Sequence, residues 1–389
     1  MCMASHRAGC WVLALLFVFV QAGLVAAQAL PVRGLCIAAP APAQVERFAA
    51  WITNDFAARG VNTLILRVDF NFAYESHPKL RGGAALSKAD VARLVGACRA
   101  AGIQLIPQIN LLGHQSWQTR LGKLLEVYPE FDETPWVKLP EKYQWPNPDR
   151  LYCKSYCPLH PEVHKVVFAL VDELCDAFEA RAFHGGMDEV FYLGEDRCPR
   201  CAGKDKSELF AGEVNRLHQH LKGRGRELWI WGDRLLDGRT TGVGEWEGSY
   251  NDTHRAIDLI SKEVVICDWH YERAHPTPVY FALKGFRVVA CPWNRAEVGV
   301  QQVRDMFAMR ERSAPAVRNR LLGVVQTVWS GVDAFWREWE GLKTTPALPP
   351  EKAPVARCFM RVSEEWMQRP EGGSAAPQAE KKAFGQRGE

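Results

Sequence analysis

The stretch FHGGMDEVFYLGED, residues 183–196, sets Asp188 and Glu189 side by side directly behind Gly185 and Gly186. Adjacent like charges repel, and glycines weaken a strand that contains them. Two carboxyls coexist at close range when one keeps its proton and the other stays ionised, and that division is what acid–base chemistry uses. A retaining glycosidase with a protein nucleophile sets its two carboxyls on opposite sides of the scissile bond, about 5–5.5 Å apart. Consecutive residues reach a sugar from a common side and suit that arrangement poorly. They suit substrate-assisted catalysis, in which the sugar's own 2-acetamido group attacks. One carboxyl then protonates the leaving oxygen, while its neighbour orients the acetamido nitrogen and stabilises an oxazolinium intermediate. The two glycines are expected to let backbone approach a ligand closely.

Similar residue types recur behind other apolar runs. Asp69, Tyr74 and Glu75 follow one run, and Asn110, Gly113 and His114 another. His184 precedes the Asp–Glu pair. Trp231 and Asp233 come next, then Asp268, Trp269, His270 and Tyr271, then Trp293, and finally Trp329 and Asp333. Any one of these aromatics alone reads as core packing, since large rings are mostly buried. The repetition carries the argument. Flat rings face pyranose rings and carboxylates accept from hydroxyls, so the set suits a sugar.

The elements that would position these residues are legible. Apolar runs at 33–39, 62–70, 103–109, 180–186, 227–233, 264–272, 286–293 and 321–329 read as strands. Amphipathic segments separate them. AQVERFAAWITNDFAARG has helical spacing, Ser87-Lys-Ala-Asp90 opens a helix as a capping box, and Val163, Val167, Leu170, Leu174 and Phe178 share one helical face. Eight alternations of continuously apolar strands with helices predict an α/β fold with a parallel sheet buried on both faces. A (β/α)8 TIM barrel is the first choice and a doubly wound sheet the second, because no GxGxxG follows the first strand. In a barrel every residue named above falls on one rim, where barrel enzymes keep their sites. The predicted organisation is a signal peptide over 1–29, a catalytic barrel over 30–342, a linker and C-terminal helix over 343–368, and a disordered tail over 369–389.

The chain has 389 residues, 47% of them hydrophobic, and a formal net charge of only +3. No Lys/Arg block argues for nucleic acid, and nothing sets an oligomeric state. Arg7, the apolar WVLALLFVFV and the small residues of AGLVAAQA form a three-part export signal. They predict a periplasmic or extracellular protein, with an uncleaved membrane anchor as the other reading. Of twelve cysteines, only Cys2 and Cys10 fall in that leader. Cys153 and Cys157, with Cys198 and Cys201, form two close pairs in neighbouring loops. Disulfides, a structural zinc site and free thiols all stay open for them. No His-Glu-x-x-His supports a catalytic zinc, and none of the chemistry above needs a cofactor.

HGGMDE has the form His-x-Gly-x-Asp-Glu and resembles the signature of glycoside hydrolase family 20, the β-N-acetylhexosaminidases. DEVFYLGE is most similar to its hexosaminidase D-like branch. IPQINLLGH, LWIWGDRL and GVVQTVWSGVDAF resemble the family's third, fifth and eighth strand segments, so the resemblance spans most of residues 33–340. It implies a retaining, metal-independent exo-hydrolase of terminal β-linked N-acetylglucosamine or N-acetylgalactosamine. By position it makes Glu189 the general acid/base and Asp188 the acetamido-orienting group. His114 and Asp69 would form a supporting relay. Trp231, Trp269, Trp293 and Trp329 would wall the sugar pocket, Tyr271 would donate to the acetamido oxygen, and His184 and Asp233 would support the site. Two features depart from the family. GLCIAAPAP carries no arginine behind the first strand, and Trp329-Ser330-Gly331 lacks the usual glutamate, a place for which Asp333 is only a candidate. The alternative reading is a glycan-binding barrel that has lost subsite residues and does not turn over.

Overall fold

The computed structural model describes residues 29–368. The expected signal peptide and polar tail therefore lie essentially outside the described residues. No described helix is long and apolar enough to cross a membrane.

Eight parallel strands close into a barrel: β1 (Val32–Ala38), β2 (Thr63–Arg67), β3 (Gln104–Leu111), β4 (Ala182–Gly186), β5 (Glu227–Trp231), β6 (Val265–Trp269), β7 (Arg287–Cys291) and β8 (Leu321–Thr327). Every predicted strand is present, most of them trimmed at the C-terminal end. The trimmed residues are those with chemistry, which leave the ladder to enter the rim loops. The longer helices are α1 (Val45–Trp51), α2 (Lys88–Ala100), α3 (Val163–Ala177), α4 (Lys206–Lys222), α5 (Thr277–Leu283), α6 (Ala296–Arg312), α7 (Val332–Thr344) and α8 (Pro354–Met367). The interval after β5 holds only two one-turn α-helices, Gly238–Thr241 and Gly244–Glu247, and a 3-10 segment, Thr253–Asp258.

Local signals act as the sequence predicts. Ser87 Oγ accepts the Asp90 backbone N–H at 3.1 Å, and Asp90 Oδ2 accepts the Ser87 backbone N–H at 2.9 Å, so α2 starts on a reciprocal cap. The α3 face from Val163 to Phe178 is buried. Pro161 precedes the helix N-cap, Glu162. The terminal helix packs through Phe359, whose ring lies 5.8 Å from Phe56 and 5.5 Å from Trp339 of α7.

Inward-pointing side chains at every second position fill the barrel. Val265, Cys267 and Trp269 show the period on β6, and Trp229 and Trp231 show it on β5. This interior is solid, so a ligand can enter only at the mouth. The long segment 112–162 after β3 and the segment 187–205 after β4 build much of that mouth.

The barrel closes where β8 pairs with β1, in the register Val32 to Gly323. Gly323 has φ of 149°, and a Cβ there would lie 1.9 Å from the Val32 carbonyl oxygen. Gly323→Ala is expected to destabilise the protein by about 3 kcal/mol, because the clash is with backbone and the seam has to open. Urea unfolding followed by tryptophan fluorescence checks this, and an unchanged midpoint would show that the seam yields without cost.

Candidate active site

A cavity of about 870 Å³ opens at the C-terminal ends of the strands. Each strand from β2 to β8 contributes to it. Arg67 and Asp69 come from β2, Asn110 and His114 from β3, Asp188 and Glu189 from β4. The loop after β5 supplies Trp246 and Glu247. Trp269 and Tyr271 follow from β6, Trp293 from β7 and Trp329 from β8.

At its centre, His114 Nε2 lies 3.2 Å from Asp188 Oδ2 and 3.1 Å from Glu189 Oε2. Burial opposes a charge on this ring, but Asp188 and Glu189 raise its pKa well above that of an ordinary histidine. Burial likewise pushes the Asp188 carboxyl up, and the nearby His114 charge with the hydrogen bond from Asn110 outweighs it, so Asp188 ends below the usual carboxylate range. Asn110 Nδ2 donates to Asp188 Oδ1 at 3.0 Å. An imidazolium thus bridges the adjacent carboxyls and offsets the repulsion their spacing implies.

The backbone reaches this arrangement through unusual conformations. Asp69, His114 and Glu189 have φ of 49°, 53° and 50°. Positive φ costs a residue with a Cβ roughly 1–3 kcal/mol, and three such residues meet at one site. Hydrogen bonds hold the turns. Asp233 Oδ2 accepts the Glu189 backbone N–H at 2.9 Å, and Asp69 Oδ1 accepts the Asn110 backbone N–H at 2.8 Å.

Several expectations need correction. The glycines do not serve a ligand: a Cβ on Gly186 would lie 2.2 Å from Asn110 Oδ1, and one on Gly185 would meet Leu217 at 3.1 Å and Leu228 at 3.3 Å. They make room for the asparagine that holds Asp188 and for core side chains. The His114–Asp69 relay is not a direct hydrogen bond: Asp69 accepts the Asn110 backbone N–H, and it meets His114 only through charge. Burial pushes Asp69 up. Trp231 and His184 lie below the cavity, not in its wall. Both are fully buried, with ring centroids 4.5 Å apart. Burial lowers His184 to about 3, which keeps it neutral, and its Nδ1 accepts the Gly186 backbone N–H. Asp333 is exposed in the first turn of α7, where a carboxylate complements the helix N-terminus. It does not replace the missing glutamate.

Asp233 is a buried hub and does not line the cavity. Besides the Glu189 amide it accepts Arg234 Nε at 2.6 Å and Trp269 Nε1 at 3.1 Å. Burial pushes it up to about 6, against the pull of Arg234. Asp268 and His270 also lie beneath the rim. His270 Nδ1 meets Glu247 Oε2 at 2.6 Å and its Nε2 meets Asp268 Oδ1 at 3.1 Å. Glu247 Oε1 in turn accepts the Tyr271 backbone N–H. Glu75 pairs with Lys88 at the surface, and Tyr74 is buried with its hydroxyl on the Asp69 carbonyl.

Sequence reading missed other lining residues. An arginine does reach the cavity, from β2: Arg67 lines it, donates to the Val328 carbonyl at 2.8 Å and lies 4.8 Å from the Trp329 ring. Trp117, Tyr152 and Trp246 arrive from long loops, and the Tyr152 hydroxyl faces Glu189. Only their residue types could have flagged them. The two cysteine pairs do not form one set either. Cys153 joins the active site, its sulfur 3.4 Å from the His114 amide nitrogen and 3.5 Å from the Glu189 carbonyl oxygen. Cys157, Cys198 and Cys201 gather around Glu133.

The family model for the catalytic domain of glycosyl hydrolase family 20 matches residues 66–332, from β2 to the start of α7. That is more than half of the chain, and the chain belongs to this family. A lacto-N-biosidase of Bifidobacterium bifidum is 25% identical over 217 residues, which is 52% of this chain and 18% of that protein. Hexosaminidase D of Bos taurus is 25% identical over 190 residues, 47% of this chain and 49% of that protein. The chain therefore spans less than half the length of these curated relatives. The chitobiase of Flavobacterium johnsoniae shares the fold, with a TM-score of 0.57 at 19% identity over 87% of this chain and 51% of that one.

Two outcomes follow from the geometry. Asp233→Ala leaves Arg234 buried without its carboxylate and is expected to cost about 3–5 kcal/mol, read as a drop in melting temperature. A small drop would mean that the carbonyls around Arg234 suffice. The second concerns His270. Burial disfavours its charge, yet Asp268 and Glu247 raise it from 6.5 to about 10. The stability from this charge is full below the unfolded value and is lost as the pH rises through the folded one. Melting temperatures of wild type and His270→Gln should therefore draw together from about pH 7 to about pH 10. A constant gap would show that the charge contributes nothing.

Proposed function

We propose that this family 20 glycosyl hydrolase removes terminal β-linked N-acetylhexosamine from glycans, with retention, by substrate-assisted catalysis. The observation that carries the reading is the single imidazole nitrogen within 3.2 Å of both Asp188 and Glu189. Two carboxyls that share one cation sit on one side of the cavity, which suits an acid and an orienting group better than an acid and an opposed nucleophile.

Glu189 protonates the glycosidic oxygen as the acetamido carbonyl oxygen attacks C1. Asp188, kept ionised by His114 and Asn110, accepts the acetamido N–H and stabilises the positive oxazolinium. The aglycone leaves, Glu189 takes a proton from water, and that water opens the oxazolinium at C1 to return the starting configuration. The Tyr271 oxygen accepts from Trp329 Nε1 at 2.7 Å, which leaves its own proton for the acetamido oxygen. Trp269, Trp293 and Trp329 present faces and edges to the sugar. Arg67 is placed to hold its hydroxyls. The floor closed by Trp231 supports an exo mode, because a chain end fits a blind cavity and an internal segment does not.

The test is release of nitrophenol from aryl β-N-acetylglucosaminide and β-N-acetylgalactosaminide. Glu189→Gln and Asp188→Asn should each lower kcat about a hundredfold to ten-thousandfold. The corresponding β-glucoside, which lacks the acetamido group, should be cleaved far more slowly. Equal rates on glucoside and acetamido sugar would sink the substrate-assisted step. Tight binding of N-acetylhexosamine with no turnover would favour a glycan-binding barrel instead.

A further inference from the structure

A second cluster of ligand-type atoms lies outside the sugar cavity, in the loops that shape its mouth. Glu133, Cys157, Cys198 and Cys201 are all buried, and one donor atom from each lies within 4.8 Å of the others. Cys157 Sγ is 3.7 Å from Cys198 Sγ and 3.3 Å from Cys201 Sγ. A disulfide needs about 2.05 Å between its sulfurs, whereas thiolates at about 2.3 Å from a tetrahedral zinc stand about 3.8 Å apart. The observed spacings lie nearer the second value. A disulfide would also use only two of the sulfurs and strand a third thiol beside a buried carboxylate.

Glu133 supplies an independent sign. Its side chain is fully buried. Its Oε1 accepts the backbone N–H groups of Gly194 at 3.0 Å and Glu195 at 3.2 Å. Its Oε2 is buried with no nitrogen or oxygen donor on it and only the Cys157 and Cys198 thiols beside it, an arrangement that is costly for a carboxylate unless a cation or a thiol proton compensates. The backbone amides of Arg200 and Cys201 face the Cys198 sulfur, and that of Leu159 faces Cys157. Cys198-Pro-Arg-Cys201 is a two-residue-spaced chelating turn.

We propose that Glu133, Cys157, Cys198 and Cys201 bind a structural zinc ion. Three thiolates select a soft or borderline cation, and the carboxylate completes a four-coordinate set with no open position. Such a site is closed to substrate, so its role is mechanical. Glu133 and Cys157 belong to the loop after β3, which carries His114 near its start. Cys198 and Cys201 belong to the loop after β4, which carries Asp188 and Glu189 near its start. The ion clips these two loops together. The site does not depend on which bond the cavity hydrolyses.

The experiment uses the full untagged chain produced with zinc in the medium and passed through gel filtration. Elemental analysis should find one zinc per chain. Replacement by cobalt should give the thiolate-to-cobalt charge-transfer band and the intense visible bands of a tetrahedral centre. Cys198→Ser and Cys201→Ser should lose the ion. Glu133→Gln should weaken zinc about tenfold or more in competition with a chromophoric chelator. If the serine variants do not fold, the zinc content and cobalt spectrum of the wild type decide. The proposal is overturned if the chain is free of metal, whether alkylation without reduction shows Cys157 bonded to Cys198 or Cys201, or shows three free thiols. Full zinc retention by Cys198→Ser overturns it as well.

Discussion

The site depends on one imidazolium beside two adjacent carboxyls. His114 Nε2 stands within 3.2 Å of both Asp188 and Glu189, and without that charge neighbouring carboxyls could not share a buried wall. Its position requires a left-handed turn at the end of β3, and Glu189 requires one after β4. These turns are unfavourable in isolation. They persist because the surrounding structure over-determines them, through Asp233 on the Glu189 amide and Cys153 on the His114 amide. Backbone strain and electrostatic attraction are coupled here. The barrel supplies the rigidity against which both are set.

The support beneath the rim is polar but closed. Asp233 ties the Glu189 backbone to the Trp269 ring and to Arg234. His270, between Asp268 and Glu247, ties the loop after β5 to the end of β6. Neither group reaches the cavity, yet each fixes a residue that does. Buried charges of this kind add little net stability when paired and cost much when one partner is lost. Their contribution is to positional definition, which catalysis by oriented groups requires.

A large part of this was legible beforehand. Eight apolar runs and their helical intervals specified a parallel barrel, and the polar residues just past each run marked one rim. Asp188, Glu189, His114, Trp269, Tyr271, Trp293 and Trp329 do line the cavity. Misassigned residues share a cause. Trp231 and Asp333 lie near strand ends, but one points into the solid interior and the other starts a helix on the surface. Distance along the chain from a strand end does not say which way a side chain turns.

What the sequence determined by itself follows from local physics. Strand and helix periods, the capping box at Ser87 and the chemical types at the strand ends are properties of short segments, and they survive into the fold unchanged. Tertiary structure decided the partners. It set Asn110 into the space left by Gly186, brought Arg67 from β2 to the cavity, and separated Cys153 from the other three cysteines while bringing Glu133 to them. Each of these pairings joins residues from different strands or distant parts of a loop. Their proximity comes from barrel closure and loop packing, which no short-range pattern encodes.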